Sequence, residues 1–459
     1  MHETIDHRPA WLKDALFYQI FPERFANGDS SNDPSGVQPW GGKPTGKNFF
    51  GGDIQGIIDH LDYVKDLGAN AIYLNPVFAS SSNHKYTTSD YMKIDPEFGT
   101  NDLFKKLVDT CHQKEIRIII DGVFNHTGVD FWAFEDIKKN GAASKYAAWY
   151  NIYSYPVNPP NNPNYECWWR LGSLPKLMVD NPEVKAYLFD VARYWTSMGI
   201  DGWRLDVPNE IPHDFWIEWR KLVKSVNPEC YIVGEIWDDA SAWLHGDQFD
   251  GVMNYEWRKS CLDFFCREKI SAKEFDEQLA NLRSLYPPDA NYDLQNLLGS
   301  HDTERYLTLC DGDVAKVKLS VLFQMTYLGA PMVYYGDEIG IEGGKDPDCR
   351  RTMIWDQSKW NKDLRAHFQK MIFLRNELPA LRRGDITSIS ADDDLLIFKR
   401  STNNQNVFVA INRSANRREF KISSAKNLKD VMTEEIFQCE NGALTLNVTG
   451  MSGRVLISA

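Results

Sequence analysis

No apolar run in this 459-residue chain approaches the roughly 20 residues needed for a helix to cross a bilayer, so no membrane-spanning helix is expected. Positive charge is also scarce: 51 Lys and Arg face 64 Asp and Glu, a formal charge of −13. Nucleic acid and anionic membrane surfaces are therefore disfavoured as partners, whereas an uncharged substrate would meet no repulsion. The eight cysteines (Cys111, Cys167, Cys230, Cys261, Cys266, Cys310, Cys349 and Cys439) form no CxxC and sit beside no histidine cluster. That spacing excludes a zinc module and predicts mostly reduced, buried thiols. The opening MHETIDHRPAWLKDALFYQIF has early acidic residues and no apolar core before a small-residue cleavage site. No secretion signal is expected there, and the expected compartment is the cytoplasm. Low-complexity tracts are absent as well.

What the chain does contain is a series of short β-type runs: LFYQI (16–20), AIYLNP (71–76), RIIIDG (117–122), GWRLDV (202–207), YIVGEI (231–236), GVMNY (251–255), NLLGSH (296–301) and PMVYYG (331–336). Between several of them lie helix-period stretches such as IQGIIDHLDYVKDLG, NDLFKKLVDTCHQK, PEVKAYLFDVARYWTSMG and HDFWIEWRKLVKSV. Strand and helix alternating eight times predict an α/β chain folded as a (β/α)₈ TIM barrel. The longest interruption follows the third run and holds VNPPNNPNYECWW, too long for a plain connector. After Leu381 the pattern changes to DLLIFKRS, NVFVAINRS, REFKIS, ALTLNV and GRVLIS, which predicts a C-terminal antiparallel β-sandwich. The expected divisions are barrel over 1–126, excursion domain over 127–177, barrel over 178–381 and sandwich over 382–459.

Four acidic residues close apolar runs: Asp121, Asp206, Glu235 and Asp302. In parallel barrels, chemistry is done where strands end at the C-terminal face. Arg204 and Asp206 lie two apart in one strand and so face the same way, toward the axis. A guanidinium beside a carboxylate is expected to lower its pKa and keep it ionised, as a nucleophile at a sugar C1 must be. Glu235, on the next strand end, is expected to be held protonated by burial and nearby negative charge, ready to donate to a leaving oxygen. The structural alternatives are an ordinary Arg–Asp pair and an ordinary strand-end charge. Two carboxyls about 5–5.5 Å apart would suit a retaining glycoside hydrolase. His301 beside Asp302, and His126 with Asn125 beside Asp121, add histidines at two further strand ends. Tyr86, Trp168 and Trp169 are the mouth-loop aromatics placed to stack on sugar rings. Taken alone, NGDSSND (27–33) and GGD (51–53) read as an Asx-rich turn, although their oxygen density would also suit Ca²⁺.

Together DGVFNH, GWRLDVPNE, EIWD and SHD resemble the four signature regions of the alpha-amylase family, glycoside hydrolase family 13, in order and spacing. That resemblance implies Asp206 as nucleophile, Glu235 as general acid/base and Asp302 as transition-state stabiliser. Asp121, Asn125, His126, Arg204 and His301 match supporting and substrate-binding positions. YQIFPERFANGD, GANAIYLNPVF, SNHKY, LPKL and DPDCRR resemble the neopullulanase, cyclomaltodextrinase and maltogenic amylase group more closely. That group implies Tyr86 stacking at the cleavage point, Asp346 and Arg350 holding sugars on the nonreducing side, and a structural calcium on Asn27, Asp29, Asn32, Asp33, Gly51 and Asp53. No organic cofactor is implied. The chain departs from the group in having its first barrel strand within about twenty residues of Met1, where the group usually carries an extra β-domain first. A monomer or weak dimer is therefore expected. Pro208, Thr87 and Met178 also stand where the family more often has Ala, Asp and Asn.

The expected activity is retaining cleavage of α-1,4-glucosidic bonds in maltooligosaccharides and related α-glucans such as pullulan or cyclodextrins, with α-1,6 cleavage and transglycosylation as further outcomes. The alternative on the same scaffold is an exo-acting α-glucosidase or sucrose-type enzyme. A sugar-binding homologue without catalysis is the remote one.

Overall fold

Each of the eight apolar runs forms a strand of one parallel sheet. The computed structural model describes residues 7–459. Residues 1–6, part of the expected first barrel segment and of the opening from which no secretion signal is expected, lie outside the described residues. The strands are β1 (Phe17–Ile20), β2 (Ala71–Leu74), β3 (Arg117–Gly122), β4 (Gly202–Leu205), β5 (Tyr231–Gly234), β6 (Gly251–Val252), β7 (Gln295–Leu297) and β8 (Ala330–Tyr334). Neighbours pair in sequence from β1 to β6, and β8 pairs with both β7 and β1. The remaining gap, between β6 and β7, is spanned by a parallel bridge from Met253 to Gln295. This is the expected (β/α)₈ barrel.

Alternation along the strands sorts their side chains. Phe17, Ala71, Tyr73, Ile119, Tyr231, Val233, Met253, Leu297, Ala330 and Met332 form one buried cluster inside the ring. Tyr18, Ile72, Ile118, Ile120, Trp203, Leu205 and Ile232 belong instead to the outer core under the helices. Two residues further along, the axis-facing positions turn polar: Gln19 follows Phe17, Asn75 follows Tyr73, Asp121 follows Ile119 and Glu235 follows Val233. The barrel thus has an apolar floor and a polar C-terminal rim.

The helices follow their capping residues. Thr100 accepts from Leu103 N at the start of Asn101–Gln113, which buries Phe104, Leu107, Val108 and Cys111 on one face. Asn181 caps Pro182–Met198, with Pro182 in the first turn, and Gly199 ends it at φ 109°. The stretch 54–68, predicted as one helix, is two: Ile54–Asp59 and Leu61–Leu67, broken at His60. His60 Nδ1 hydrogen-bonds Gly56 O at 2.8 Å while its ring packs on Trp355, 3.8 Å between centroids.

Residues 127–177 rise over the rim as a helix (Trp132–Asn140) followed by irregular chain. Its two ends are tied to each other by Thr127 N to Pro175 O at 3.1 Å, and to the segment after β3 by Leu177 N to Asn125 O at 3.0 Å. The C-terminal region is antiparallel, with a six-stranded sheet facing a two-stranded one, Arg418–Ser423 with Ala443–Val448. Leu395, Ile397, Phe408 and Ala410 pack against the small sheet, while Leu396, Phe398, Val407, Val409 and Ile411 join the barrel's outer core. The two central strands Leu395–Ser401 and Asn406–Asn412 are therefore buried on both faces, which is why they are so apolar, whereas the edge strand Asp385–Ala391 is largely exposed and mostly polar.

Cys266 and Cys310 are joined as a disulfide, and the other six cysteines are free. The expectation of reduced thiols holds for those six and fails for this pair. Its partners stand 44 residues apart, on connections after neighbouring strands β6 and β7. Among the described residues no helix is long and apolar enough to cross a membrane.

Candidate active site

Strand register assembles the site. Asp121 of β3 lies directly opposite Arg204 of β4, and the Arg204 side chain is fully buried between them and β5. Its Nη1 donates to Asp121 Oδ1 at 2.8 Å and Oδ2 at 3.0 Å and to Asp206 Oδ1 at 2.9 Å. Its Nη2 lies 2.8 Å from Glu235 Oε2, but outside hydrogen-bond alignment. One guanidinium thus touches three carboxyl groups from three consecutive strands. Glu235 has neutral donors too: Trp237 Nε1 at 3.2 Å and Val207 N at 3.4 Å. Val207 holds a left-handed backbone, φ 37°, in the turn directly after Asp206.

The fourth acid arrives from the loop after β7. Asp302 Oδ2 sits 2.9 Å from His301 Nε2, and its Oδ1 accepts from Arg350 Nη2 at 3.0 Å. Arg350 also donates from Nε to His301 O at 2.8 Å and reaches Asp346 at 3.1 Å. Asp346 and Arg350 are thereby fastened to the acidic cluster itself. Tyr86 lies flat against His301, 5.5 Å between centroids and 6° between planes, and its hydroxyl contacts Asp121 Oδ2 at 2.9 Å.

Burial governs the proton affinities. It raises the carboxyls of both Asp206 and Glu235 above the ordinary carboxylate range, with Arg204 opposing in each case. This corrects the expectation that Arg204 would hold Asp206 low: removal from water outweighs the guanidinium. For Asp302 burial pushes the same way, but the contacts of His301 and Arg350 outweigh it and hold the carboxyl below that range. Asp206 and Glu235 are therefore both biased toward holding a proton, beside an Asp302 biased toward its ionised form. The aligned bond from Arg204 to Asp206, and the misaligned contact to Glu235, favour that proton on Glu235.

Asn125 and His126 stand at the end of β3, buried, with Asn125 Nδ2 3.2 Å from His126 Nδ1. Asn125 Oδ1 and His126 Nε2 are buried without a protein hydrogen-bond partner. Burial lowers the His126 pKa to about 4, which leaves a neutral ring able to bond a hydroxyl. Trp168 stacks on His126 at 5.5 Å, and Trp169 stacks on Trp168 at 4.6 Å. Trp169, 76% exposed, forms an aromatic step down from the surface.

The metal candidates form a separate cluster beside the first strand's loop. Asp53 is fully buried, and its two oxygens accept from Gly56 N (2.6 Å), Gly28 N (3.1 Å), Asp29 N (2.8 Å) and Asn32 Nδ2 (3.5 Å). It organises the loop and caps the helix after it. Asn27 Nδ2 donates to Asp33 Oδ1 at 2.7 Å, and Gly51 at φ 81° comes so close that a Cβ there would lie 2.3 Å from that oxygen. Asn32 Oδ1 is buried with no partner. Among the described residues no three His, Cys, Asp or Glu side chains converge on one point. The donors present are amide, carboxylate and main-chain oxygens, which fit a hard cation such as Ca²⁺ and not a transition metal.

Sequence reasoning missed Gln19, Tyr73 and Asn75, which are fully buried beneath the acids. The available signal was a polar residue on the axis-facing side of an otherwise apolar strand.

A barrel with three acids converging at its C-terminal rim defines a glycosidase scaffold. The chain belongs to the alpha-amylase family: residues 19–383 match the alpha amylase catalytic domain and residues 384–456 the alpha-amylase C-terminal domain. It is 50% identical over 447 residues to a cyclomaltodextrinase of Geobacillus thermopakistaniensis (strain MAS1), covering 96% of this chain and 76% of that protein. It is 49% identical over 457 residues to neopullulanase 2 of Thermoactinomyces vulgaris, covering 98% and 78%. Among solved structures, the cyclic α-maltosyl-(1→6)-maltose hydrolase of Arthrobacter globiformis is 42% identical, with a TM-score of 0.92 over 98% of this chain and 100% of that one.

Proposed function

We propose that the chain cleaves α-1,4-glucosidic bonds in short maltooligosaccharides and related α-glucans with retention of configuration, and that it accepts some α-1,6 links. The observation that carries this reading is the single Arg204 guanidinium holding Asp206 and Glu235 at once, with Asp302 across the same rim. In the first step Glu235 protonates the glycosidic oxygen while Asp206 attacks the anomeric carbon, giving a covalent glycosyl-enzyme and a released sugar hydroxyl. In the second, Glu235 takes a proton from water, which attacks that carbon and frees Asp206. Asp302, ionised and fixed by Arg350, accepts hydrogen bonds from sugar hydroxyls as charge develops on the ring. His126 and Asn125 offer their unpartnered buried atoms to the same sugar. Asp346 binds one sugar further out, and Tyr86 and Trp168 supply apolar faces.

Ca²⁺ on the Asn27–Asp33 and Gly51–Asp53 loops would be structural, supplying charge neutralisation and no step of the reaction. A monomer or weak dimer remains the proposed assembly.

The test is the anomeric form of the product released from maltotriose, followed by NMR, with Asp206→Ala and Glu235→Gln alongside. The α-anomer should appear first, and each variant should lose about 10³-fold or more in kcat. A β-anomer, or activity surviving either substitution, would refute the assignment. Glucose as the sole first product from longer chains would favour the exo-acting alternative.

A further inference from the structure

Two buried amides beneath the acids take no part in the steps above: Gln19 of β1 and Asn75 just past β2, 0% and 1% exposed. Buried donors must face acceptors, so hydrogen-bond directions around them can be traced from a fixed point. That point is Asp121, which receives Arg204 on both oxygens and can only accept from its other neighbours. The hydroxyls of Tyr73 (2.7 Å) and Tyr86 (2.9 Å) donate to Asp121 Oδ2. Each hydroxyl has one proton, so both oxygens are acceptors elsewhere. Asn75 Nδ2 donates to them, at 3.1 Å to Tyr86 and 3.5 Å to Tyr73. Its Oδ1 is thereby turned toward Gln19, whose Nε2 donates to it at 3.0 Å.

The same Gln19 Nε2 lies 2.8 Å from His301 Nδ1. An amide N–H facing a ring nitrogen requires that nitrogen to be bare. Tyr86 leads to the same answer from the other side. With its proton spent on Asp121, its oxygen 2.6 Å from His301 Nε2 can only accept. Flipping the Gln19 amide would give its unpartnered Oε1 a donor at His301, but would set that oxygen against Asn75 Oδ1.

We propose that Gln19 and Asn75 are positioning residues that fix His301 as its Nε2–H tautomer, so that the one ring proton faces Tyr86, Asp302 and the sugar held there. The proposal rests on the glycosidase reading for its purpose, but not for its geometry. Nε2 lies 2.9 Å from Asp302 Oδ2, so with the opposite tautomer two lone pairs would face each other across that contact.

The experiment is nitrogen NMR of the full-length chain labelled at histidine, with His301 assigned by the signals lost in His301→Gln. The expected wild-type result is a bare Nδ1 and a protonated Nε2. In Gln19→Glu, whose carboxylate can only accept, the proton should move to Nδ1. On maltotriose kcat should then fall about 10–100-fold, the loss typical of a group that orients a first contact, with KM moving much less. A wild-type Nδ1–H overturns the proposal, as does a Gln19→Glu chain with unchanged His301 signals or wild-type kcat. If Gln19→Glu does not fold, Gln19→Met replaces it: a mixed tautomer with reduced kcat supports the proposal, and an unmixed Nε2–H form overturns it. The tautomer is read without substrate, so a chain inert toward every glucan would sink the glycosidase reading and leave this result standing.

Discussion

At the scale of single residues, the acids proposed to carry the chemistry pull stability in opposite directions. Burial raises the folded-state pKa of Glu235. A raised carboxyl favours the fold below its unfolded pKa, and that contribution is lost as pH rises through the folded value. At neutral pH Glu235 is thus a cost, and Glu235→Gln should raise Tm while abolishing activity. Asp302 is lowered by His301 and Arg350 against burial, so its contribution is present above the unfolded pKa and lost as pH falls through the folded value. Asp302→Asn should lower Tm at pH 7, by about 1–2 kcal/mol of stability. Calorimetry of both variants at one pH checks the pair of signs. The acids were legible in sequence because a carboxylate closing an apolar run needs a reason to be there. The direction of the Asp206 shift was not, because it depends on how completely water is removed. Gln19 and Asn75 were equally hidden, since their meaning lies in partners 282 and 56 positions away along the chain.

At the scale of elements, the Asx-rich loop and GGD turn behave as one unit tied by Asp53. Bound Ca²⁺ would stabilise the folded state by mass action. Adding Ca²⁺ to EDTA-treated protein should raise Tm, and the increment should shrink in Gly51→Ala, whose methyl would collide with Asp33 Oδ1. Scanning calorimetry at several Ca²⁺ concentrations checks this, and a flat Tm would remove calcium from the account. The eight strands could be read because each is short, apolar and bounded by turn residues. The helix break at His60 could not, because it depends on Trp355 packing from almost 300 residues away. The stacked Trp168 and Trp169 were recognisable as mouth aromatics, but their support by His126 emerges only when 127–177 folds back onto β3.

At the scale of the molecule, the C-terminal sheet is less an appendage than a second wall of the barrel's outer core, since one of its faces is buried there. The Cys266–Cys310 pair ties the connections following β6 and β7. Alkylation of the denatured chain without reductant should label six thiols, and with reductant eight, read by intact mass. Labelling of all eight without reductant would show the pair open. Nothing in the sequence distinguished these two cysteines, as pairing depends on which connections the ring makes adjacent.

The covalent tie spans the part of the barrel where the backbone ladder is thinnest. Between β6 and β7 the Met253–Gln295 bridge and the bond from Asn254 N to Gln295 O at 2.8 Å stand in for the ladder of paired residues that runs between other strands. A hoop with one narrow weld has a preferred place to part: deuterium should enter the amides around Met253 and Asn254 sooner than those of β3 or β4, and sooner still once the sulfur link is reduced.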